Sequence, residues 1–169
     1  MSARPQVLPD VLEPDLRLVF CGSAAGTASA RRRAYYAGPG NRFWPTLFEV
    51  GLTPRPLAPE EFPTVLRYGI GLTDITKDQF GEDRSIRRSA DDAADLRRKI
   101  ERFRPSTLAF VGKAAAKVAL GRDRIDYGLL SDHLGATRLF VLPSPSGAAR
   151  GFWDAGWWHS LAQLVREDR

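Results

Sequence analysis

The sequence is poor in residues that bind metals or form disulfides. A single cysteine, Cys21, excludes an internal disulfide framework and a cysteine-based zinc site. Two histidines, His133 and His159, argue against a His-rich metal site. No apolar run approaches the roughly 20 residues of a membrane span, and residues 1–15 lack the apolar stretch of a signal peptide. We therefore expect a reduced, cytoplasmic protein that uses no membrane.

The composition is that of one globular domain. The chain has 169 residues, of which 43% are hydrophobic and 27% charged, and this length is sufficient for a full core. Residues 1–15 contain three prolines and are predicted to form a loose N-terminal arm. Residues 16–169 are predicted to form a single domain.

Acidic residues are unevenly distributed. The net charge is only +5, but residues 16–48 and 133–153 contain no Asp or Glu. The first of these segments carries the run Arg31, Arg32 and Arg33. Two acid-free segments could line one surface that meets an anion. Alternatively, core strands and glycine-rich turns simply lack charge, and the arginine run is a solvated face.

Short apolar runs alternate with helical patterns. Four runs predict buried strands, at residues 17–21, 69–75, 107–111 and 138–142. Helices are predicted over residues 60–68, 90–103 and 112–120, and at the C-terminus with Trp153, Trp157, Leu161 and Leu164 on one stripe. Residues 22–40 and 76–89 read as loops, and residues 122–135 as irregular or a hairpin. Strands separated by helices indicate an α/β fold with a parallel sheet covered on both faces.

The carboxyl ends of these strands are where such a fold binds ligands. They carry residues 22–26, Asp74, Gly112 and residues 144–147, so the two acid-free segments converge on the expected site.

Common catalytic motifs are missing from these strand ends. The segment GSAAGT is not followed by Gly-Lys-Ser/Thr, and neither GxGxxG nor GxSxG occurs. Cys21 lies within a strand and is interpreted as a buried thiol rather than a nucleophile. His133 and His159 lie away from the strand ends and are interpreted as structural.

What remains is a pocket of small residues and aromatics with one amide and one carboxylate. Tyr36 would stack on a flat heteroaromatic ligand, and Asn41 and Asp74 would supply polar chemistry. Each residue has a plainer interpretation as well. Tyr36 would pack against neighbouring side chains, Asn41 would cap the helix that follows it, and Asp74 would accept hydrogen bonds from neighbouring backbone amides.

Five ordered segments carry a resemblance: LRLVFCGSAAGT, YYAGPGNRFWPTLFEVGL, YGIGLTDI, TLAFVGKAA and LFVLPSPSGAAR. Together they resemble the uracil-DNA glycosylase superfamily, in particular its mismatch-specific uracil/thymine branch. The segment YYAGPGNRFW also resembles the hypoxanthine-DNA glycosylase branch. The resemblance implies a three-layer αβα sandwich around a short, mostly parallel four-stranded sheet. It also implies a monomeric, metal-independent enzyme without a cofactor, which releases a deaminated base, uracil above all, from DNA.

Three positions depart from the mismatch-specific pattern. Ala24 stands where that branch has the asparagine that positions the attacking water, and Ser144 replaces a second asparagine. The position of the apolar wedge falls near the small Ala148. The resemblance therefore leaves open a hypoxanthine-DNA glycosylase and a weakly catalytic protein that binds abasic sites or lesions.

The resemblance and the pocket together assign roles to fourteen residues. The catalytic candidates are Asn41 and Asp74. The base pocket would be formed by Gly22, Ser23, Ala24, Tyr36 and Ser144. DNA would be held by Arg31, Arg32, Arg33, Pro145, Ser146, Gly147 and Arg150.

Overall fold

A computed structural model describes residues 6–81 and 90–168, without the side chain of Arg150. Five strands form one sheet in the order β2-β1-β3-β5-β4. They are β1 Leu18–Gly22, β2 Ile70–Asp74, β3 Thr107–Val111, β4 Gly128–Leu134 and β5 Thr137–Leu142. The first three and β5 are parallel, whereas β4 runs antiparallel to β5.

In the described residues, five α-helices and two 3-10 helices lie between the strands or follow the last one. The α-helices are α1 Thr27–Arg32, α2 Phe43–Glu49, α3 Ala90–Phe103, α4 Lys113–Leu120 and α5 Ala155–Glu167. The 3-10 helices are Pro59–Tyr68 and Gly147–Phe152. No helix in the described ranges is both long and apolar enough to cross a membrane.

Helices cover both faces of the sheet, as predicted. Every residue of β1, β2 and β3 is buried, because side chains alternate between two separate cores. One core contains Phe20, Phe43 and Trp158. The other joins Phe110 to Leu96 and Ile100 of α3. The three-layer α/β architecture is therefore confirmed.

The predicted strand count of four is wrong. Residues 128–134 add β4 at the edge of the sheet, and the hairpin that β4 forms has β5 as its second strand, so it does not lie within residues 122–135. Burial alternates along β4, which has one face towards solvent. Such a strand mixes polar and apolar residues, and a search for continuous apolar runs does not detect it.

The N-terminal segment is not loose where it is described. Leu8 and Val11 are 1% and 6% exposed. Val11 and Leu72 exchange two backbone hydrogen bonds of 2.9 Å, which satisfy part of the free edge of β2. The expectation of a loose arm is therefore wrong for residues 6–15.

Two further predictions need correction. The predicted loop over residues 22–40 contains α1, and the loop over residues 76–89 is described only as far as Gly81. Helix α5 begins after Asp154, whose carboxylate accepts the Gly156 N–H at 2.8 Å. Trp153 therefore precedes the helix. Of the residues in the predicted stripe, only Leu161 is buried. The other buried residues of α5 are Trp158, Ala162 and Val165, which were not part of that stripe.

Candidate active site

A cavity of about 890 Å³ opens at the carboxyl ends of the parallel strands. Ten of the residues predicted from sequence to form the site line it: Gly22, Ser23, Ala24, Tyr36, Asn41, Asp74, Ser144, Pro145, Ser146 and Gly147. The loops after β1, β2 and β5 bring them together from distant parts of the chain. Most are small, so backbone groups and a few polar side chains define the wall.

Asp74 is the last residue of β2 and lies at the floor of the cavity. Its side chain is buried, the residue being 5% exposed, and no hydrogen bond or ion pair reaches its carboxyl group from the described part of the chain. Gly22 is paired beside it on β1, and a Cβ on that glycine would lie 2.6 Å from Asp74 Oδ1. Any larger residue at position 22 would therefore displace the Asp74 carboxyl group.

The protonation of Asp74 follows from this burial. Loss of hydration raises the pKa of Asp74 to about 6. The charge of Lys77 opposes the rise, Asp10 adds to it, and Lys99 opposes it more weakly. A carboxyl group with such a pKa is ionised at neutral pH but accepts a proton more readily than an exposed aspartate.

Asp10, in the segment before β1, is a half-buried carboxylate beside β2. It forms ion pairs with Lys77 at 3.0 Å and Lys99 at 2.7 Å, and accepts the Thr73 hydroxyl at 2.7 Å. Burial acts to raise the pKa of Asp10, but the two lysines outweigh it and hold the pKa below its ordinary value. The lysines near Asp74 are thus engaged by Asp10.

Tyr36 forms one wall of the cavity. Its backbone is in the left-handed region, with φ of 53°, and its ring stacks on Phe43 at a centroid distance of 3.9 Å. The hydroxyl group is buried and has no hydrogen-bond partner among the described residues. It lies 3.1 Å from the position of a Gly22 Cβ. One ring face is thus supported by Phe43, and Tyr36 lines the cavity.

Asn41 lies at the start of α2 and also lines the cavity. Its Oδ1 accepts the Phe43 N–H at 2.9 Å, which satisfies a free amide at the start of α2. The N-cap residue itself is Arg42, so Asn41 caps the helix from one position earlier than predicted. Asn41 also lines the cavity, and no described group bonds its side-chain NH₂.

Two loops of the site hold each other in place. The Arg42 N–H donates to the Pro145 carbonyl at 2.9 Å. A Cβ on Gly147 would lie 2.9 Å from the Pro39 carbonyl oxygen, so the backbones are in close contact there. The Ser144 hydroxyl accepts the Ser146 N–H at 3.2 Å. This packing fixes the wall between Asn41 and Ser144 before any ligand binds.

The arginine run lies outside the cavity. Arg31, Arg32 and Arg33 are all exposed at the end of α1. Arg32 forms an ion pair with Glu60 and donates to the Ala37 carbonyl at 2.8 Å, so its charge is partly engaged within the chain. Arg31 and Arg33 have no partner in the described residues. The side chain of Arg150 lies outside the described part of the structure.

Lys113 and Leu8 line the cavity but were missed from sequence. Lys113 begins α4 directly after β3, with its ammonium group 4.4 Å from the centre of the Tyr127 ring. The strand-end rule that selected Asp74 applies equally to Lys113. No sequence signal marks Leu8, because its position depends on how residues 6–15 pack. Cys21 is a buried thiol whose pKa burial raises, and His133 and His159 are exposed outside the cavity.

The cavity combines a buried carboxyl group with an aromatic ring at the carboxyl ends of parallel strands. Comparison with known proteins shows which family this chain belongs to. Residues 9–161 match the family model described as the Uracil DNA glycosylase superfamily. The match covers most of the chain, which therefore belongs to that superfamily, whose glycosylases act on DNA.

A solved structure extends the comparison to the fold. It is the solution NMR structure of a protein from Methanosarcina acetivorans that is provisionally described as a uracil DNA glycosylase. The two chains are 22% identical, the likeness covers 94% of this chain and 96% of the other, and the TM-score is 0.57. At this identity the comparison establishes a shared fold.

Proposed function

We propose that the chain is a monofunctional DNA glycosylase that hydrolyses the N-glycosidic bond of a deaminated base, with uracil as its main substrate. The observation that carries the proposal is Asp74, a buried carboxyl group without a partner in the described residues, at the floor of a cavity with a stacking ring. The superfamily match supplies the class of reaction.

The reaction divides into binding, bond cleavage and capture by water. The flipped base stacks on Tyr36, whose ring is backed by Phe43. The bond between sugar C1′ and the base nitrogen breaks, its electron pair leaves with the base, and the sugar becomes an oxocarbenium ion. Backbone N–H groups near Ser23 and Ala24 would donate to the departing base.

Asp74 and Asn41 act on the sugar side of the bond between C1′ and the base nitrogen. The Asp74 carboxylate stabilises the cationic sugar and takes a proton from the attacking water as its oxygen bonds to C1′. The Asn41 oxygen is engaged by Phe43, which leaves its NH₂ group to donate a hydrogen bond to that water or to the sugar. An amide can orient water but cannot accept its proton, so Asp74 is the base. None of these steps requires a metal or a cofactor.

DNA would contact the rim of the cavity. Lys113, Arg31 and Arg33 would meet phosphates, which fixes the position of the protein without reading sequence. The loop of Pro145, Ser146 and Gly147 would follow the strand left without its partner, with Arg150 beside it. Arg32 contributes less, because Glu60 engages its charge.

Two other candidates have support from particular residues. The cavity of about 890 Å³ is lined mostly by small residues, which leaves room for the bicyclic base hypoxanthine. Ala24 offers no polar side chain at the end of β1, which favours a protein that binds abasic sites without releasing bases.

The deciding experiment uses labelled oligonucleotides that contain a single uracil or hypoxanthine, as single strands and as duplexes, with enzyme in excess and EDTA present. Alkali then cleaves abasic sites, and the products are counted. We expect uracil to be released faster than hypoxanthine. No release of either base, combined with tight binding of abasic DNA, would establish the binding protein instead.

The role of Asn41 has a matched pair of variants. Asn41→Asp keeps an oxygen to cap Phe43 but loses the NH₂ group, whereas Asn41→Ala loses both. We expect both to slow base release at least about tenfold, while only Asn41→Ala lowers stability, by about 1 kcal/mol. Normal rates in Asn41→Asp would restrict Asn41 to capping.

A further inference from the structure

The segment before β1 places an ion pair near the candidate active site. Asp10 Oδ1 lies 3.0 Å from Lys77 Nζ, and the two side chains are only 18% and 13% exposed. Lys77 follows Asp74 by three residues, in the loop that leaves β2. Solvent screens a partly buried pair much less than a surface pair. The two charges therefore act on the charged groups around them.

Lys77 is held in place by several contacts. Its ammonium group donates to the Tyr35 hydroxyl at 3.0 Å and lies 5.5 Å from the centre of the Tyr35 ring. That hydroxyl group in turn donates to the Pro9 carbonyl at 2.9 Å. The Lys77 carbonyl accepts the Val7 N–H at 2.7 Å. Residues 7–10 thus fix this lysine beside Tyr35, which itself lines the cavity.

Asp10 is fixed from the other side of the pair. Its Oδ1 accepts the Thr73 hydroxyl at 2.7 Å, one residue before Asp74 on β2. Its Oδ2 lies 2.7 Å from Lys99 Nζ. In the described residues, no hydrogen bond or ion pair joins either lysine to the Asp74 carboxyl group. The fold thus keeps one negative and two positive charges near Asp74 without bonding any of them to it.

Other titratable groups around Asp74 come from several elements. They are Cys21 on β1, Tyr35 and Tyr36 on the cavity wall, Asp92 and Lys99 on α3, and Lys113 at the start of α4. Burial raises the pKa of the thiol and of both phenols, so these three groups are neutral during the reaction. Besides burial, which raises the pKa of Asp74, the groups that change it are Lys77, Asp10 and Lys99, in that order.

We propose that Asp10 and Lys77 form a positioning pair for the glycosylase reaction, in which Asp10 keeps the Lys77 ammonium on Tyr35, where it supports the charge of Asp74 without bonding to it. This inference rests on the proposed function, because it takes Asp74 as the base. A lysine bonded to Asp74 would make the carboxylate a poorer proton acceptor, whereas loss of the lysine would favour its protonated form. The pair thus sets the pH above which Asp74 acts.

The central test is the pH dependence of single-turnover uracil release from single strands. Lys77→Met removes a positive charge, so the inflection should move up by about half a pH unit or more. Asp10→Asn removes the negative charge and leaves both lysines, so the inflection should move down by a similar amount. At about pH 5, Lys77→Met should be at least about threefold slower than the wild type and Asp10→Asn at least about threefold faster.

These expectations differ from those of a structural role. A variant that merely disturbs the site is slower at every pH and keeps its inflection. At about pH 8, where Asp74 is ionised in every case, both variants should stay within about threefold of the wild type per folded molecule. An Asp10→Asn variant slower than the wild type at about pH 5, or one inflection shared by all three proteins, would overturn the proposal.

Three further variants identify the pair responsible. Asp10→Asn combined with Lys77→Met should return the inflection towards that of the wild type. Lys99→Met should move it up by less than Lys77→Met does, and a larger shift would contradict the assignment to Lys77. Asp132→Asn breaks an ion pair with Arg122 on β4, at the opposite edge of the sheet, and should leave the inflection unchanged. A shift in Asp132→Asn as large as in Asp10→Asn would refute a local effect.

A measurement without DNA separates this proposal from the proposed function. The free protein, with aspartate carboxyl carbons labelled with ¹³C, is titrated by NMR, and the Asp74 signal is identified by its loss in Asp74→Asn. Its midpoint should rise in Lys77→Met and fall in Asp10→Asn. If the wild type releases no base, the proposed function fails, yet this titration still decides on the pair. An Asp74 midpoint that is the same in both variants and the wild type would refute the proposal.

Discussion

Asp74, the last residue of β2, is a buried carboxyl group, whereas Asp10, which bonds the neighbouring Thr73, is half-buried, and the surroundings of the two groups differ. Asp10 has two lysines and a hydroxyl group within 3.0 Å, and these hold its pKa below the ordinary value. Asp74 has no such partner in the described residues, and burial raises its pKa to about 6. The charge of Asp10 supports the fold, whereas that of Asp74 works against it. An unfavourable charge kept at the floor of a cavity is typical of a functional group.

The largest effect is expected from Asp74 variants in base release. Asp74→Ala should lower the single-turnover rate about 100- to 1000-fold, the usual loss when a base or a cation-stabilising group is removed. If charge matters, Asp74→Asn should be equally slow; partial activity in Asp74→Asn would indicate an orienting role. Asp10→Asn is the matched control and should stay within about threefold at pH 8, per folded molecule.

Tyr36 allows the ring and the hydroxyl group to be tested separately. Tyr36→Ala removes the stacking face and should slow release about 10- to 100-fold. Tyr36→Phe should be nearly silent in rate and should raise the free energy of unfolding by about 1 kcal/mol, because it removes a buried hydroxyl without a described partner. A Tyr36→Phe variant as slow as Tyr36→Ala would show that the hydroxyl group takes part in the reaction.

Replacement of Asp74 and replacement of Asp10 by asparagine should change the free energy of unfolding in opposite directions. The pKa of Asp74 is raised, so its stabilising contribution is complete below pH 4 and is lost as the pH rises through about 6. At pH 8, Asp74→Asn should therefore raise the free energy of unfolding by about 2–3 kcal/mol.

The pKa of Asp10 is lowered, so its contribution is present at neutral pH and is lost as the pH falls through that lowered value. Asp10→Asn should destabilise by about 2–3 kcal/mol at pH 8. Urea titrations of both variants measure the difference, and shifts of the same sign would contradict the contrast between these residues.

The smallest effects are expected in the arginine run. Arg31→Ala and Arg33→Ala should each reduce the log-log salt slope of duplex binding by about 0.9, the value of one phosphate contact. Arg32→Ala is the internal control, because Glu60 already engages its guanidinium, and it should change the slope less. Equal slopes in all three variants and the wild type would place this end of α1 away from DNA.

The strand ends and most of the cavity wall could be predicted from sequence. Strands β1, β2, β3 and β5 are continuous apolar runs because both sheet faces are covered, and parallel strands bring their carboxyl ends to one edge. That rule alone places Gly22, Asp74 and Ser144 together. Strand β4 was missed because it faces solvent on one side and therefore lacks such a run.

The electrostatic difference between Asp10 and Asp74 could not be predicted in the same way. It depends on Lys77 and Lys99 meeting Asp10, and hence on residues 6–15 packing against β2. No sequence feature of this proline-containing segment predicts that contact. Likewise, the buried tryptophan of α5 is Trp158, whereas the stripe predicted from sequence contained Trp157.

The pH dependence of base release tests the role of Asp74 most directly. The measurement is the single-turnover rate on uracil-containing single strands from about pH 4.5 to about pH 8, for the wild type and Asp74→Asn. The wild-type rate should rise about tenfold per pH unit at low pH and level off above the Asp74 pKa of about 6. Asp74→Asn should be slow and should lack this inflection. A wild-type rate independent of pH over this range, or the same inflection in Asp74→Asn, would contradict the assignment of Asp74 as the base.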